Sequence, residues 1–241
     1  MLQLNDLFIS IDGEVSSHKQ GAISTFIRFA GCNLDCAWCD AYGHEQVLFE
    51  LDTRKSAHKV IDDLMNMLGK PLTNNITITG GEPLLAYENN PEAFCDLLHI
   101  LHSYGYQITV ETNGTYRIPN ELRRFVHGFI VDCKMPMIDD KNGNITDHPF
   151  IGIYDTIGSA NNIVKFLVND AKQFDAVKKI QKTLRDTITS PTHQPTLVLS
   201  IINDHKGKPT VDVNKFLQTF GNKFFDNMIL NVQIHKYLEI K

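Results

Sequence analysis

Long apolar runs are missing from this chain. No stretch approaches the roughly 18 residues that suggest a membrane-spanning helix, and Met1-Leu2-Gln3-Leu4-Asn5-Asp6 lacks the basic and apolar regions of a signal peptide. Basic runs are missing too. Lys and Arg number 23 against 28 Asp and Glu, a net charge of −5, so direct binding to nucleic acid or a membrane is not expected. Internal repeats, linkers and low-complexity tracts are absent. With 42% hydrophobic and 21% charged residues over 241 positions, disorder, collagen and coiled coil are excluded. The expectation is a soluble cytoplasmic protein with one domain over residues 1–241. Cysteine is scarce, and its count of five is odd, which argues against a disulfide framework. Three of the five fall between positions 32 and 39.

β-rich runs alternate with helix-period segments along the chain. Strands are predicted at Ser24–Ala30, Ile76–Thr79, Gln107–Glu111, Phe129–Asp132, Ile163–Val168, Thr196–Ile201 and Met228–Gln233. Ala57, Val60, Ile61, Leu64, Met67 and Leu68 recur at helical spacing, with Gly69 as a stop. Phe94, Leu97, Leu98 and Leu101 form a second stripe closed by Gly105. A third carries Phe174, Val177, Ile180 and Leu184 behind a cap at Asp170, and a fourth carries Val213, Phe216, Leu217 and Phe220. Glu121 to Val126 reads as a shorter helix. Such alternation indicates βαβ units and a parallel sheet. Lys134 to Ser159 is polar and turn-rich and reads as a loop insertion. The first 22 residues read as a short N-terminal extension with a strand at Leu7–Ile11.

Cys32-Asn33-Leu34-Asp35-Cys36-Ala37-Trp38-Cys39 has the spacing C-x3-C-x2-C. Three sulfurs this close converge from one loop, and soft thiolates suit iron–sulfur clusters or zinc. Structural zinc recruits four protein ligands, and no second cysteine pair follows. Cys95 and Cys133 stand alone, Cys95 as a small hydrophobe on a helix stripe. The other reading is a zinc-stabilised interaction module with His18 or His44 as fourth ligand. Three ligands on a four-iron cubane leave one iron open. Downstream, Thr79-Gly80-Gly81-Glu82-Pro83 ends a predicted strand; adjacent glycines let a backbone approach a ligand, and a carboxylate accepts from an ammonium.

The cysteine spacing, the aromatic before the third cysteine and the G-G-E-P segment together resemble the radical S-adenosylmethionine (SAM) enzymes. The resemblance implies an α/β fold, a partial, open TIM-like βα barrel. It implies a 4Fe-4S cluster on Cys32, Cys36 and Cys39, whose open iron is chelated by the cofactor and whose electron comes from a donor such as flavodoxin or ferredoxin. Gly81, Glu82, Asn113, Asp132, Cys133 and Lys134 fall where the family holds SAM; a turn role for Asn113 and a solvated one for Lys134 stay open.

Leu7-Phe8-Ile9-Ser10-Ile11-Asp12-Gly13-Glu14, followed by Thr25-Phe26-Ile27-Arg28-Phe29-Ala30-Gly31-Cys32, is similar to the opening of the 7-carboxy-7-deazaguanine synthases. The similarity continues through Glu111-Thr112-Asn113-Gly114-Thr115, Asp132-Cys133-Lys134-Met135-Pro136, Val164-Lys165-Phe166 and Gln233-Ile234-His235-Lys236. It implies a carbon–nitrogen lyase of queuosine and deazapurine biosynthesis, contracting the ring of 6-carboxy-5,6,7,8-tetrahydropterin with loss of ammonia, and a homodimer. Ile11, Asp12, Gly13, Glu14, Arg28, Thr79 and His235 are its candidate substrate residues. Arg28, on an otherwise apolar strand, needs a partner: the substrate carboxylate, or Glu14 or Glu111. His235 reads equally as a surface residue. The chain departs from the pattern at Asp12 for Gln, Val15 for Gly, Cys133, and Ala41 for a Thr or Ser that ligates magnesium; Asp40 is the neighbouring oxygen source. A glycyl-radical enzyme activase shares the cysteine and G-G-E-P motifs.

Overall fold

Apolar runs separated by helical stripes build one nine-stranded sheet in the computed structural model, which describes residues 1–13, 15, 20–39, 41, 45–137, 150–187, 194–203, 208–212, 214, 218 and 228–238. The strands are β1 (Leu2–Ile11), β2 (Ile23–Phe29), β3 (Phe49–Leu51), β4 (Asn75–Gly80), β5 (Gln107–Thr112), β6 (Gly128–Lys134), β7 (Ile163–Val168), β8 (Thr196–Ile201) and β9 (Met228–Asn231). Their order is β3-β1-β2-β4-β5-β6-β7-β8-β9. β1 is antiparallel to β2 and β3, and from β2 to β9 every neighbouring pair is parallel. The end strands β3 and β9 do not pair with each other among the described residues, so the sheet is an open barrel.

Parallel strands covered on both faces read as apolar runs. Ile76, Ile78, Val110, Val131, Val164 and Phe166 are accordingly fully buried. The covering helices are α1 (Ala57–Leu68), α2 (Pro83–Asn89), α3 (Pro91–Ser103) and α4 (Phe174–Thr187); one further turn, α5 (Ile234–Tyr237), follows β9. α1 turns Val60, Ile61 and Leu64 inward and stops at Gly69, whose φ of 74° closes the helix through bonds to the Met65 and Asn66 carbonyls. α3 opens on Pro91 with the Asn90 side chain accepting from Ala93 N at 3.2 Å. Its Phe94, Leu97, Leu98 and Leu101 are fully buried, each contributing about 1.5–3 kcal/mol.

The structure differs from the sequence reading in several places. The N-terminal segment is no extension ahead of the barrel: β1 begins at Leu2 and belongs to the sheet. A register shift between Leu4 and Asp6 breaks the alternation that marks a strand. The segment 134–159 is not simply a polar loop. β6 runs to Lys134, and a 3-10 turn at Ile151–Thr156 buries Ile153 beside Phe150; residues 138–149 lie outside those described. Asp170 does not cap α4. It accepts from Lys172 N at 2.9 Å, in a 3-10 turn (Ala171–Gln173) that leads into the helix. Only Asn120–Leu122 coils in the segment read as a short helix. The fourth stripe, at 213, 216, 217 and 220, lies outside the described residues. β3 and α2 were not foreseen.

Candidate active site

In a parallel barrel, side chains at the carboxyl ends of the strands meet above one rim. Here they surround a cleft of about 200 Å³ with an open mouth. Cys32, Cys36, Trp38, Cys39 and Ala41 enter it from the loop after β2, Thr79, Gly80 and Gly81 from β4, and Glu111, Thr112 and Asn113 from β5. Asp132 and Lys134 come from β6, Lys165 and Leu167 from β7, Ser200 and Ile201 from β8, and Gln233 and His235 from beyond β9.

The three cysteines are free and half-buried. Burial pushes the Cys32 and Cys36 thiols up, while the Lys134 charge pulls Cys36 back. Leu34 N donates to Cys32 Sγ at 3.4 Å, and Asn113 Nδ2 approaches it at 3.8 Å. Among the described residues no three His, Cys, Asp or Glu side chains close on a single ion. Three thiols that share one cleft fit a cluster of several irons. His18 and His44 lie outside the described residues.

The glycine pair serves the cysteine loop. A Cβ on Gly81 would stand 1.8 Å from the Gly31 carbonyl oxygen, and one on Gly80 (φ 127°) would stand 2.3 Å from Phe29 N. Gly81 N donates to Phe29 O at 2.9 Å and Glu82 N to Gly31 O at 2.8 Å. The close approach expected toward a ligand is therefore made first to the protein's own backbone.

Glu82 corrects the expectation more sharply. It is fully buried and absent from the cleft lining. Its Oε1 accepts from Leu84 N at 2.8 Å and Thr112 Oγ1 at 2.6 Å, and its Oε2 from Asn113 N at 2.7 Å. Burial pushes its carboxyl up, and these three donors pull the other way. Glu82 is thus a brace tying α2 to the end of β5. Asn113, which it holds, donates through Nδ2 to Asn33 Oδ1 at 2.8 Å and accepts from Thr115 N at 3.0 Å. The residue is both the turn and a clamp on the cysteine loop.

On β6 the side chains alternate. Asp132 and Lys134 face the cleft, whereas Cys133 is fully buried on the other face with Sγ 3.7 Å from Met135 Sδ; desolvation drives its thiol far up. Its side chain is a core group, leaving only its backbone for a ligand. Lys134 is no solvated loop lysine: its Nζ lies 2.9 Å from Asp132 Oδ2. Burial lowers its ammonium, but the Asp132 charge and hydrogen bond more than offset this and leave it raised. Lys165 Nζ lies 3.0 Å from Asp132 Oδ1.

Ile11, Asp12, Gly13, Arg28, Thr79 and His235 also line the cleft; Glu14 and Asp40 lie outside the described residues. Arg28 lies over the Phe8 ring, 5.0 Å from its centroid, and Phe8 stacks on Phe26. Its Nε is buried without a hydrogen-bond partner, and Arg28 forms no ion pair among the described residues, so the internal pair with Glu111 is not made. Gly13 is required because the His235 ring packs on it, with Nδ1 2.0 Å from where a Cβ would stand; Ile234 N donates to Gly13 O at 2.8 Å. His235 is therefore a wall of the cleft. Val15 packs against Ile130, Ile163 and Val198, and its N donates to Asn231 Oδ1 at 2.9 Å. Asn169 and Asp170 bond to Gln173 and do not line the cleft.

The Radical SAM superfamily profile matches residues 26–136, the stretch that carries the cysteine loop, the glycine pair and Asn113. Relatives extend the match to nearly the whole chain. A 7-carboxy-7-deazaguanine synthase of Clostridium acetobutylicum is 28% identical over 96% of this chain and 93% of its own. Another, from Methanocaldococcus jannaschii, is 27% identical over 98% of each.

Residues 26–136 of the chain carry a radical SAM domain.

A third relative of the same name, from Aquifex aeolicus, is 37% identical over 55% of this chain and 54% of its own. A radical SAM domain implies a 4Fe-4S cluster and SAM, and the three cleft thiols fit that cluster. Sequence reasoning missed Lys165, Ser200, Trp38 and the aromatic pair Phe8 and Phe26 as cleft residues. Lys165 carried the same signal as Arg28, a charge within an apolar strand.

Proposed function

We propose that this radical SAM enzyme contracts the ring of 6-carboxy-5,6,7,8-tetrahydropterin with release of ammonia, as a 7-carboxy-7-deazaguanine synthase in queuosine and deazapurine biosynthesis. The observation that carries the reading is Arg28: a guanidinium with a buried, unpartnered Nε on the wall of the cleft that holds the three thiols. A ligand carboxylate satisfies such a group bidentately. The three full- or half-length relatives of that name support the same substrate class.

Cys32, Cys36 and Cys39 hold the cluster in this reading. Gly81, Asn113, Lys134 and the backbone at Cys133 hold SAM, with Glu82 and Asp132 behind them. When bound, cluster and cofactor supply a hydrogen-atom abstractor. The chain's own residues orient and enclose. Arg28 takes the carboxylate, while Thr79 offers a hydroxyl, Glu14 is a further substrate residue, and Ile11, Asp12, Gly13 and His235 close the far wall. Phe8 and Phe26 keep that wall apolar, which strengthens charge-assisted contacts. Magnesium at the substrate beside Ala41 and Asp40, a flavodoxin or ferredoxin donor, a homodimer and a cytoplasmic location complete the proposal.

The test is anaerobic incubation of the reconstituted enzyme with the carboxypterin and SAM, followed by mass spectrometry. The expected product is lighter than the substrate by one ammonia, with SAM regenerated. Cofactor cleavage without change of the pterin would count against this substrate.

A further inference from the structure

Lys165 stands in the middle of β7 between two fully buried neighbours, Val164 and Phe166, and is itself only 6% exposed. A lysine in such a place holds its ammonium where the strand puts it. The register sets Lys165 directly beside Asp132 on β6, and Lys134 lies two residues further on the same face. One carboxylate is thus divided between two ammoniums, Oδ1 to Lys165 at 3.0 Å and Oδ2 to Lys134 at 2.9 Å.

The division has a geometric consequence. A carboxylate facing a lone lysine can offer both oxygens, so the ammonium is free to rock between them. With Oδ1 taken, Lys134 has a single oxygen to bond, and its ammonium lines the same cleft as Cys36, whose thiol feels its charge. The three groups together carry one positive charge, whereas an Asp132–Lys134 pair alone carries none.

We infer that Lys165 is a positioning residue: acting through Asp132, it holds the Lys134 ammonium toward the cysteine loop, where it receives the carboxylate end of SAM. This rests on the reading of the cleft as the cofactor site.

The test is equilibrium binding of SAM and, separately, of the carboxypterin to anaerobically reconstituted protein. Wild type is compared with Lys165→Met, Lys165→Arg, Lys134→Met and the double Lys165→Met/Lys134→Met variant. Lys165→Met keeps an apolar stem of similar length and leaves Asp132 paired with Lys134. The expected result is about a tenfold weaker SAM affinity for Lys165→Met, partial rescue by Arg, and unchanged pterin affinity. The double variant is expected to be no worse than Lys134→Met, since coupled residues are not additive. SAM affinity within twofold of wild type in Lys165→Met, additive losses in the double variant, or equal loss for both ligands would each overturn the proposal. Should Lys165→Met not fold, Lys165→Arg and Asp132→Asn decide it: a wild-type SAM affinity in Asp132→Asn overturns it. A wild type that binds the pterin but not SAM would sink the cofactor-site reading itself, and this inference with it.

Discussion

Gly81→Ala is the most exacting test of how the cysteine loop is held. The added methyl would stand 1.8 Å from the Gly31 oxygen and 2.4 Å from its carbonyl carbon, where real contacts do not fall under 3.0 Å. Both opposing atoms are backbone, so the loop must retreat by about 1.2 Å, or β4 must bend away. Overpacking of this kind costs about 1–3 kcal/mol. The bond from Glu82 N to Gly31 O, 2.8 Å long, adds about 0.5–1.5 kcal/mol. For a domain of this size the sum lowers the melting temperature by about 3–18 °C. The chemistry suffers more than the fold, because a misplacement near 1 Å costs about 100-fold in rate and Gly31 directly precedes the first cysteine. Scanning calorimetry, iron and sulfide analysis and anaerobic SAM cleavage are measured on the same preparation. The expectation is a folded protein with reduced iron and about 100-fold slower cleavage. A Gly81→Ala protein with wild-type melting, iron and cleavage would refute the reasoning, since the two loops would then not be in contact.

Arg28→Leu is expected to weaken carboxypterin binding by about 2–5 kcal/mol, the range for truncating one side of a buried charged contact, while SAM cleavage without substrate persists; unchanged affinity means that Arg28 has another partner. Cys36→Ala is expected to lose the brown chromophore and cofactor cleavage yet keep its circular dichroism, because the loop lies over the barrel and not in its core; an iron-loaded, active variant contradicts the ligand assignment. Ala41, 8% exposed in the cleft wall, offers no oxygen to a hard cation. Wild type is therefore expected to respond only weakly to magnesium, and Ala41→Thr at lower concentration. Equal titration curves for the two would place the metal's protein ligand elsewhere.

Most of the sheet was legible because a doubly covered parallel strand is a short apolar run with turn residues at each end. β7 and β8 were read to the residue and β5 to within one. β1 was half lost where its bulge interrupts the alternation, and β3 has only three residues, too few for any period. Phe150 and Ile153 sit in the core but are flanked by polar turn residues, so composition pointed to solvent. In the site, residue types told which chemistry was present but not which way a side chain faces. Glu82 and Cys133 were assigned to the cofactor; three local donors claim the Glu82 carboxylate, and strand alternation turns the Cys133 side chain inward. Lys165 was seen only as part of a motif; its partnership with Asp132 depends on β6–β7 register, which no local pattern encodes.

The contact between Val15 and Asn231 joins residues 216 positions apart, and Gly13 meets Ile234 over a similar separation. Loop closure of this length is entropically unfavourable and rewards the chain only after the strands between are in place. The wall formed by Gly13 and His235 is therefore expected to be the last part of the cleft to assemble and the first to open. The cysteine loop, braced by Gly31, Gly81 and Asn113 within a much shorter span of sequence, is set earlier. On that expectation, a chain still lacking its final contacts would already present its three thiols, with the barrel open beside them. Amide exchange should accordingly be faster at Val15 and Ile234 than at Gly81 and Asn113.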